Sequence, residues 1–429
     1  MTGSHRRVRE KAGLIIVAGD DVQTSYGLQV ALLTAINLGA KCFSNHIQVK
    51  ASRATWDAPC LARLSAEESL GAAIHALGGA PLSDDSLLER RHLVLGEAAS
   101  LDRAVRITYD GWIVAVGPVG DQPRLQERPF CPLASVAAAA IGVGEMFAAM
   151  ARVNLKATRQ KIQFSLWNPT QGIDVPGAVG DSINEFPEKI ALFGLGHLGQ
   201  AYLWSIASLQ FVNPGNVTLW LCDDDVVEEP NAETGALLRP DPKLILKTRM
   251  AASWLEDRQF ATRLLERRVD AAFRRTDDEP RVALAGFDDN HARQWLSNAG
   301  FGLVLDTGLG GEAGNFDSIA FRAWPNPRTA EELWPLDEPA SVGNEVGDEL
   351  EAPECGRVLV NQVAIAVPFV GAIASCVVLG ELLKRIGRGP SFHEMRLRVC
   401  SIGSVSPTGG EASWVPLMRG VRMSPLRVT

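Results

Sequence analysis

The run Lys189-Ile190-Ala191-Leu192-Phe193-Gly194-Leu195-Gly196-His197-Leu198-Gly199 decides how the chain is read. A short apolar strand enters a turn with glycines at 194, 196 and 199, and apolar residues at helical spacing follow (Tyr202, Leu203, Ile206, Leu209). A second β-like run, 217–221, stops at Cys222-Asp223-Asp224-Asp225, with Asn231 and Lys247 beyond it. Strand, glycine turn, helix, strand, acid is the unit that sets a nucleotide phosphate on a helix N-terminus and its ribose on a carboxylate. The glycines clear side chains from the place where backbone N–H groups must approach the anion. Asp223, at a strand end, stands where that carboxylate belongs.

The same unit recurs toward the N-terminus in weaker form. Leu14-Ile15-Ile16-Val17-Ala18 reads as a buried strand, Gly19-Asp20-Asp21 as the turn, and residues 26–38 as an apolar helix. Two carboxylates in that turn would repel a triphosphate, so this front unit reads as a nucleotide fold that binds no nucleotide. Residues 62–102 read as helices and polar connections, and 107–109 with 112–116 as a hairpin turning at Asp110-Gly111. Pro132 opens an alanine-rich helix that reaches Gly144-Glu145; Pro368 opens one of the same texture that reaches Gly380-Glu381. The pair points to a long internal duplication. Domains are therefore expected at 1–155 (front) and 188–429 (back), joined by a linker over 156–187. Within the back unit a helix follows Lys247, then a strand and helix toward 282. Residues 282–287 form a strand ending in Asp288-Asp289-Asn290, with Arg293 on the next helix. Strand 303–306 leads into a turn at Gly308, Gly310 and Gly311. A loop covers 325–360, and closing strands lie at 397–402 and 414–417.

Length suits two domains rather than one core. A net charge of −8 and a pI near 5.5 argue against nucleic acid as the main partner, which wants a basic face. The seven cysteines (42, 60, 131, 222, 355, 376 and 400) include no C-x-x-C pair, so a reducing cytoplasm is expected and a four-cysteine zinc site is not. The early apolar run 14–18 is too short for a signal peptide. The uncharged stretch 363–380 is rich in small residues and contains Pro368, so it reads as a buried helix rather than a membrane span.

These residues together resemble the adenylating domain of the ubiquitin-activating enzyme family, which includes the bacterial MoeB and ThiF proteins. The spaced set Gly194/Gly196/Gly199, Asp223-Asp224-Asp225, Asn231, Lys247, Asp289-Asn290 and Pro368 carries the resemblance across roughly 188–385. It implies two tandem Rossmann-like α/β units, the front one degenerate and the back one ATP-binding. By that resemblance Gly194, Gly196, Gly199, Asp223, Asp225, Asn231, Lys247 and Asn290 bind ATP. Asp289 holds Mg²⁺, and Lys247 with Asp289 serves catalysis. The family usually carries an arginine where Thr234 stands, with Arg239 nearby; a second arginine from the partner subunit would correspond to Arg6, Arg7 or Arg9.

The implied activity is adenylation of the C-terminal glycine of a ubiquitin-like protein. Cys355 is the candidate for a following thioester and for transfer to a conjugating enzyme. The fused pair, without room for a large inserted cysteine domain, resembles activating enzymes of bacterial antiviral conjugation systems. Three other readings stay open: an enzyme that stops at the adenylate, as sulfur-carrier activators and peptide-modifying relatives do; an NAD(P)-dependent oxidoreductase using the same glycine turn; and a non-catalytic scaffold.

Overall fold

The computed structural model describes residues 13–43, 46–84, 91–98, 103–237, 245–310, 317–336, 357–360, 363–399, 406–411 and 420–423. The front unit comprises β1 (Leu14–Ala18), α1 (Tyr26–Cys42), β2 (Ile47–Lys50), β3 (Gly79–Pro81), β4 (His92–Leu95), β5 (Ala104–Asp110), β6 (Ile113–Pro118), α2 (Pro132–Ala151) and β7 (Ile162–Ser165). The back unit contains β8 (Lys189–Phe193), α3 (His197–Ala207), β9 (Thr218–Cys222), α4 (Glu229–Thr234), α5 (Lys247–Glu256), β10 (Ala261–Leu265), β11 (Val282–Ala285), α6 (Asn290–Ser297), β12 (Leu303–Leu309), β13 (Ser318–Trp324), α7 (Pro368–Gly387), β14 (Phe392–Arg398) and β15 (Ser406–Glu411).

The two large sheets share one strand order. The front sheet runs β3-β2-β1-β4-β5-β6-β7; the back sheet runs β10-β9-β8-β11-β12-β13-β14, with β15 added at its edge. In each, the first five strands are parallel and the later ones antiparallel. Parallel strands are covered on both faces, which is why 14–18 and 190–193 are apolar without alternation. Both units are Rossmann-like, as the sequence implied.

The twin helices α2 and α7 are each 20 residues long and each begins with proline. Each ends on an arginine in the left-handed region, Arg152 and Arg388, both at φ 58°. Each buried glutamate accepts a backbone N–H from beyond its helix, and Glu381 also pairs with the buried Lys384 and Arg385. Glu145 accepts from the Thr158 backbone N–H at 2.6 Å, and Glu381 from that of Phe392 at 3.0 Å. The two helices meet through Phe147 and Phe369, whose ring centroids are 5.5 Å apart, inside a core continuous through both units. Helix α2 is long and apolar enough to cross a membrane, yet 89% of its most apolar window is buried inside the protein, as in a core helix.

Several sequence expectations shift. Strand β7 falls inside the segment read as a linker, because Ile162 and Phe164 complete the front core. The region 62–102, read as helices and polar connections, holds a helix at Leu70–Ala76 but also strands β3 and β4. No helix forms between β10 and β11 among the described residues; turns tied by Asp270 and Thr276 side chains fill the space. Gly308 lies within β12 rather than in a turn after it. A hairpin, Arg357–Val360 with Val363–Ala366, precedes the buried helix, which starts at Pro368. The strand expected at 414–417 lies outside the described residues, as do Cys355, Cys400, Arg239, Gly311 and Arg6, Arg7 and Arg9.

Candidate active site

The glycine turn ends β8 and opens α3. Gly194 has φ +80°, a left-handed conformation that costs glycine little and other residues more. Its N–H donates to the Cys222 carbonyl at 2.9 Å, tying the turn to the neighbouring strand end. Gly199 packs beneath the turn, and a Cβ there would overlap the Gly194 carbonyl. At Gly196 a Cβ would meet nothing within 4 Å. The turn therefore presents an open floor at 196, and 199 is what lets the helix come close.

Around that floor lies a cavity of about 470 Å³. Gly194, Gly196, Asp223, Asp225, Asn231, Lys247 and Asp289 all line it, together with Thr234, His197, Glu228, Arg267, Arg268, Phe287 and Asp288. It opens at the carboxyl ends of β8, β9 and β11, the crevice where open parallel sheets bind ligands. Its size falls within the range of small-molecule sites.

Asp223 is held rigidly. Its carboxylate accepts from the Leu195 N–H at 2.5 Å and the Asp225 N–H at 2.8 Å, while burial pushes its pKa up. Lys247 donates to Asp225 at 2.7 Å. Burial works against its charge, but the Asp225 hydrogen bond and the charges of Asp223, Asp225 and Glu228 outweigh it, so the ammonium is held charged. Asp289 caps α6, accepting from the His291 N–H at 2.8 Å, and remains half-exposed at the cavity edge.

The other residues divide. Asn290 turns away from the cavity: its amide donates to the Pro335 carbonyl at 2.8 Å and accepts from Arg293 at 2.8 Å. Asn290 is therefore not among the residues that line the cavity; its side chain belongs to the contacts around the loop that carries Asp289. Arg293 also donates to the Phe287 carbonyl and, at 2.9 Å, to the fully buried Asp306, which in turn receives the Trp334 indole N–H at 2.9 Å. This network fixes the loop that carries Asp289.

Arg267 and Arg268 line the cavity although no motif in the sequence marks them. Their signal was position, just past the carboxyl end of a parallel strand. Arg267 pairs with Glu279 at 2.9 Å and covers the Phe273 ring at 4.2 Å. His197 opens α3 at the turn, its ring is buried against Gly371 of α7, and burial pushes its pKa down to about 4.

The carboxylates of Asp223, Asp224 and Asp225 lie close enough together to share an ion, and Asp289 lines the same cavity; such oxygens are the hard ligands that magnesium prefers. The open floor at Gly196, backed by the α3 N-terminus and Lys247, fits a phosphate chain.

The corresponding place in the front unit is filled. Asp21 accepts from the Glu97 N–H at 2.9 Å, packs against Gly19 and Gly96, and pairs with Arg124, which also holds the buried Glu127. Thr108 donates to Glu127 at 2.9 Å. An ion-paired plug occupies the turn.

None of the five described cysteines offers a ready nucleophile. Cys60 is raised to about 11 and Cys222 and Cys376 to about 12, each chiefly by burial; Cys131 is raised further for the same reason, and Cys42 is buried.

Fold and cavity define a tandem Rossmann-like protein with a nucleotide-type crevice in its back half. Residues 13–166 match the family described as the BilD N-terminal domain, and 186–389 match the BilD C-terminal domain. The chain is 32% identical over 397 residues to the bacterial E1-like protein BilD of Collimonas sp. (strain OK412), covering 90% of this chain and 85% of that protein. The chain belongs to the BilD family of bacterial E1-like proteins. Among solved structures it is similar to Escherichia coli MccB (14% identity, TM-score 0.37, 73% of this chain and 94% of that one). It is also similar to PaaA (16% identity, TM-score 0.35, 52% and 64%).

Proposed function

We propose that the back unit binds Mg-ATP and adenylates the C-terminal carboxylate of a ubiquitin-like protein. The observation that carries this reading is the convergence of Gly194, Gly196, Asp223, Asn231, Lys247 and Asp289 on one cavity. Asp223 takes the ribose hydroxyls. The α3 N-terminus and Lys247 hold the phosphates. Magnesium on Asp289 would draw charge off the phosphate oxygens. A carboxylate oxygen of the incoming tail attacks the α-phosphorus, the bond to the β-phosphate bridging oxygen breaks, and pyrophosphate leaves. Positioning and electrostatics do the work, so the rigid Asp223 and the charged Lys247 are the features that matter.

The plugged turn supports a supporting rather than catalytic role for the front unit, with one nucleotide site per chain. Membership in an E1-like family supports a ubiquitin-like partner and passage to a conjugating enzyme; an antiviral conjugation setting in the cytoplasm is part of the same proposal. The nicotinamide reading gives no use for Lys247 and Asp289 beside the glycine turn. The test is pyrophosphate release on adding Mg-ATP and a ubiquitin-like protein ending in glycine. Release that depends on Asp289 supports the reading; no release, or release unchanged in Asp289→Ala, contradicts it.

A second reading, an enzyme that stops at the adenylate, is favoured among the described residues by the raised thiol pKa values of Cys60, Cys131, Cys222 and Cys376. Cys355 separates the two. A reducible adduct lost in Cys355→Ala supports thioester formation, and full activity without any adduct supports the second reading.

A further inference from the structure

Helix α4 carries Asn231 and Thr234 into the cavity wall, yet at six residues it is too short to hold itself together in water. Its N-terminal end is fixed locally, by the Glu228 N–H donating to the Asn231 side chain at 2.9 Å. The other end depends on the front unit. Nζ of Lys41 donates to the Ala232 carbonyl at 2.8 Å, and Nδ2 of Asn37 donates to the Ala236 carbonyl at 2.8 Å. Both donors sit on α1, and Asn37 is 5% exposed. The Ala232 carbonyl is among the last of the helix, which lack partners within it, and Ala236 lies just past its end.

The third side is α3, the helix of the glycine turn. Gln200 accepts from the Leu237 N–H at 3.1 Å and lies so close to Gly235 that any Cβ would overlap it. Helix α1 is itself pinned to α3 and its C-terminus, through Trp204 Nε1 donating to Thr34 at 3.1 Å and Tyr26 donating to the Ser208 carbonyl at 3.0 Å. Residues 231–237 are thus clamped between the front unit and the glycine-turn helix.

We propose that Asn37 and Lys41 are positioning residues for the nucleotide cavity, so that the affinity of the back half is set in part by two side chains of the front half. The inference rests on the nucleotide reading of the cavity and adds what the front unit contributes to it. Lys41→Met removes one anchor, and Lys41→Met/Asn37→Leu removes both. Lys41→Arg keeps the charge and the donor.

Calorimetric titration of the full chain with Mg-ATP reads the effect, alongside hydrogen exchange at 231–237. Site-to-site coupling is typically worth about 5- to 150-fold in affinity. About fivefold weaker binding is expected for Lys41→Met and more than about tenfold for the double variant, with Lys41→Arg close to wild type. Exchange at 231–237 should quicken in both weakened variants. Arg63→Ala is the control: it removes a contact between the units, Arg63 to Gln259 at 3.0 Å, that does not touch this segment, and it should leave affinity unchanged. Wild-type affinity and wild-type exchange in a folded double variant would overturn the inference, as would an equal loss in Arg63→Ala. Should the wild type bind no Mg-ATP, the nucleotide reading fails, and the clamp stands or falls on exchange at 231–237.

Discussion

Replacing Asp306 by alanine tests the network that fixes the Asp289 loop. Asp306 is 0% exposed and Arg293 9%. The carboxylate also receives the Trp334 indole at 2.9 Å and lies 3.7 Å from Arg322. Its removal strands a buried guanidinium and a buried indole N–H. Breaking a buried pair by deleting one partner costs about 3–5 kcal/mol. With a guanidinium slope of about 5 kcal/mol/M, the unfolding midpoint should fall by about 0.6–1 M.

Asp57→Ala is the natural comparison. Its partner Arg53 is 88% exposed and Asp57 itself 57%, so about 0.5 kcal/mol or less is expected, near the limit of detection. Guanidinium unfolding followed by tryptophan fluorescence reads both, and Trp334 reports directly on the site. Removing both charges in Asp306→Leu/Arg293→Met should recover part of the loss, because the Arg293 guanidinium no longer stays buried unpaired, while Arg322 and the Trp334 indole still lose their partner. A midpoint for Asp306→Ala equal to that of Asp57→Ala would refute the reasoning.

Three further outcomes are expected. Gly199→Ala should abolish Mg-ATP binding by titration, because a Cβ there overlaps the Gly194 carbonyl and forces the turn apart. Acid should weaken the fold through His197. Its pKa is lowered to about 4, so below the ordinary value near 6.5 the unfolded chain takes up the proton first. Stability is full above about 6.5 and is lost as pH falls toward 4, by up to about 3 kcal/mol, a slope that His197→Asn should flatten in denaturant melts. Finally, with thiol pKa values near 12 at Cys222 and Cys376, only about one molecule in ten thousand is thiolate at pH 8. Mass-mapped alkylation of the native chain should leave both unmodified.

The central unit was legible because its demands are local: a strand, a turn with glycines at 194, 196 and 199, and an acid at the next strand end. The twin helices were legible too, since Pro132 and Pro368, Gly144 and Gly380, and Glu145 and Glu381 keep step. What escaped was set by tertiary contact. Asn290 sits in a ligand-like motif, but Pro335, 45 residues on, captures its amide. Strand β7 is only four residues long in a polar stretch, and it is pairing with β6 that makes it a strand. His92 opens β4 fully buried, which its polarity hid. Arg267 and Arg268 reach the cavity only because the sheet brings the end of β10 beside that of β9. The filling of the front turn was half visible: Asp20-Asp21 signalled a misfit for phosphate, whereas Arg124, 103 residues away, could not be foreseen.

Titration calorimetry with Mg-ATP tests the central claim most directly. One site per chain is expected, lost in Asp289→Ala and in Lys247→Met, and kept in Asp21→Ala. Binding of NAD in place of ATP, or nucleotide binding indifferent to Asp289 and Lys247, would contradict the account.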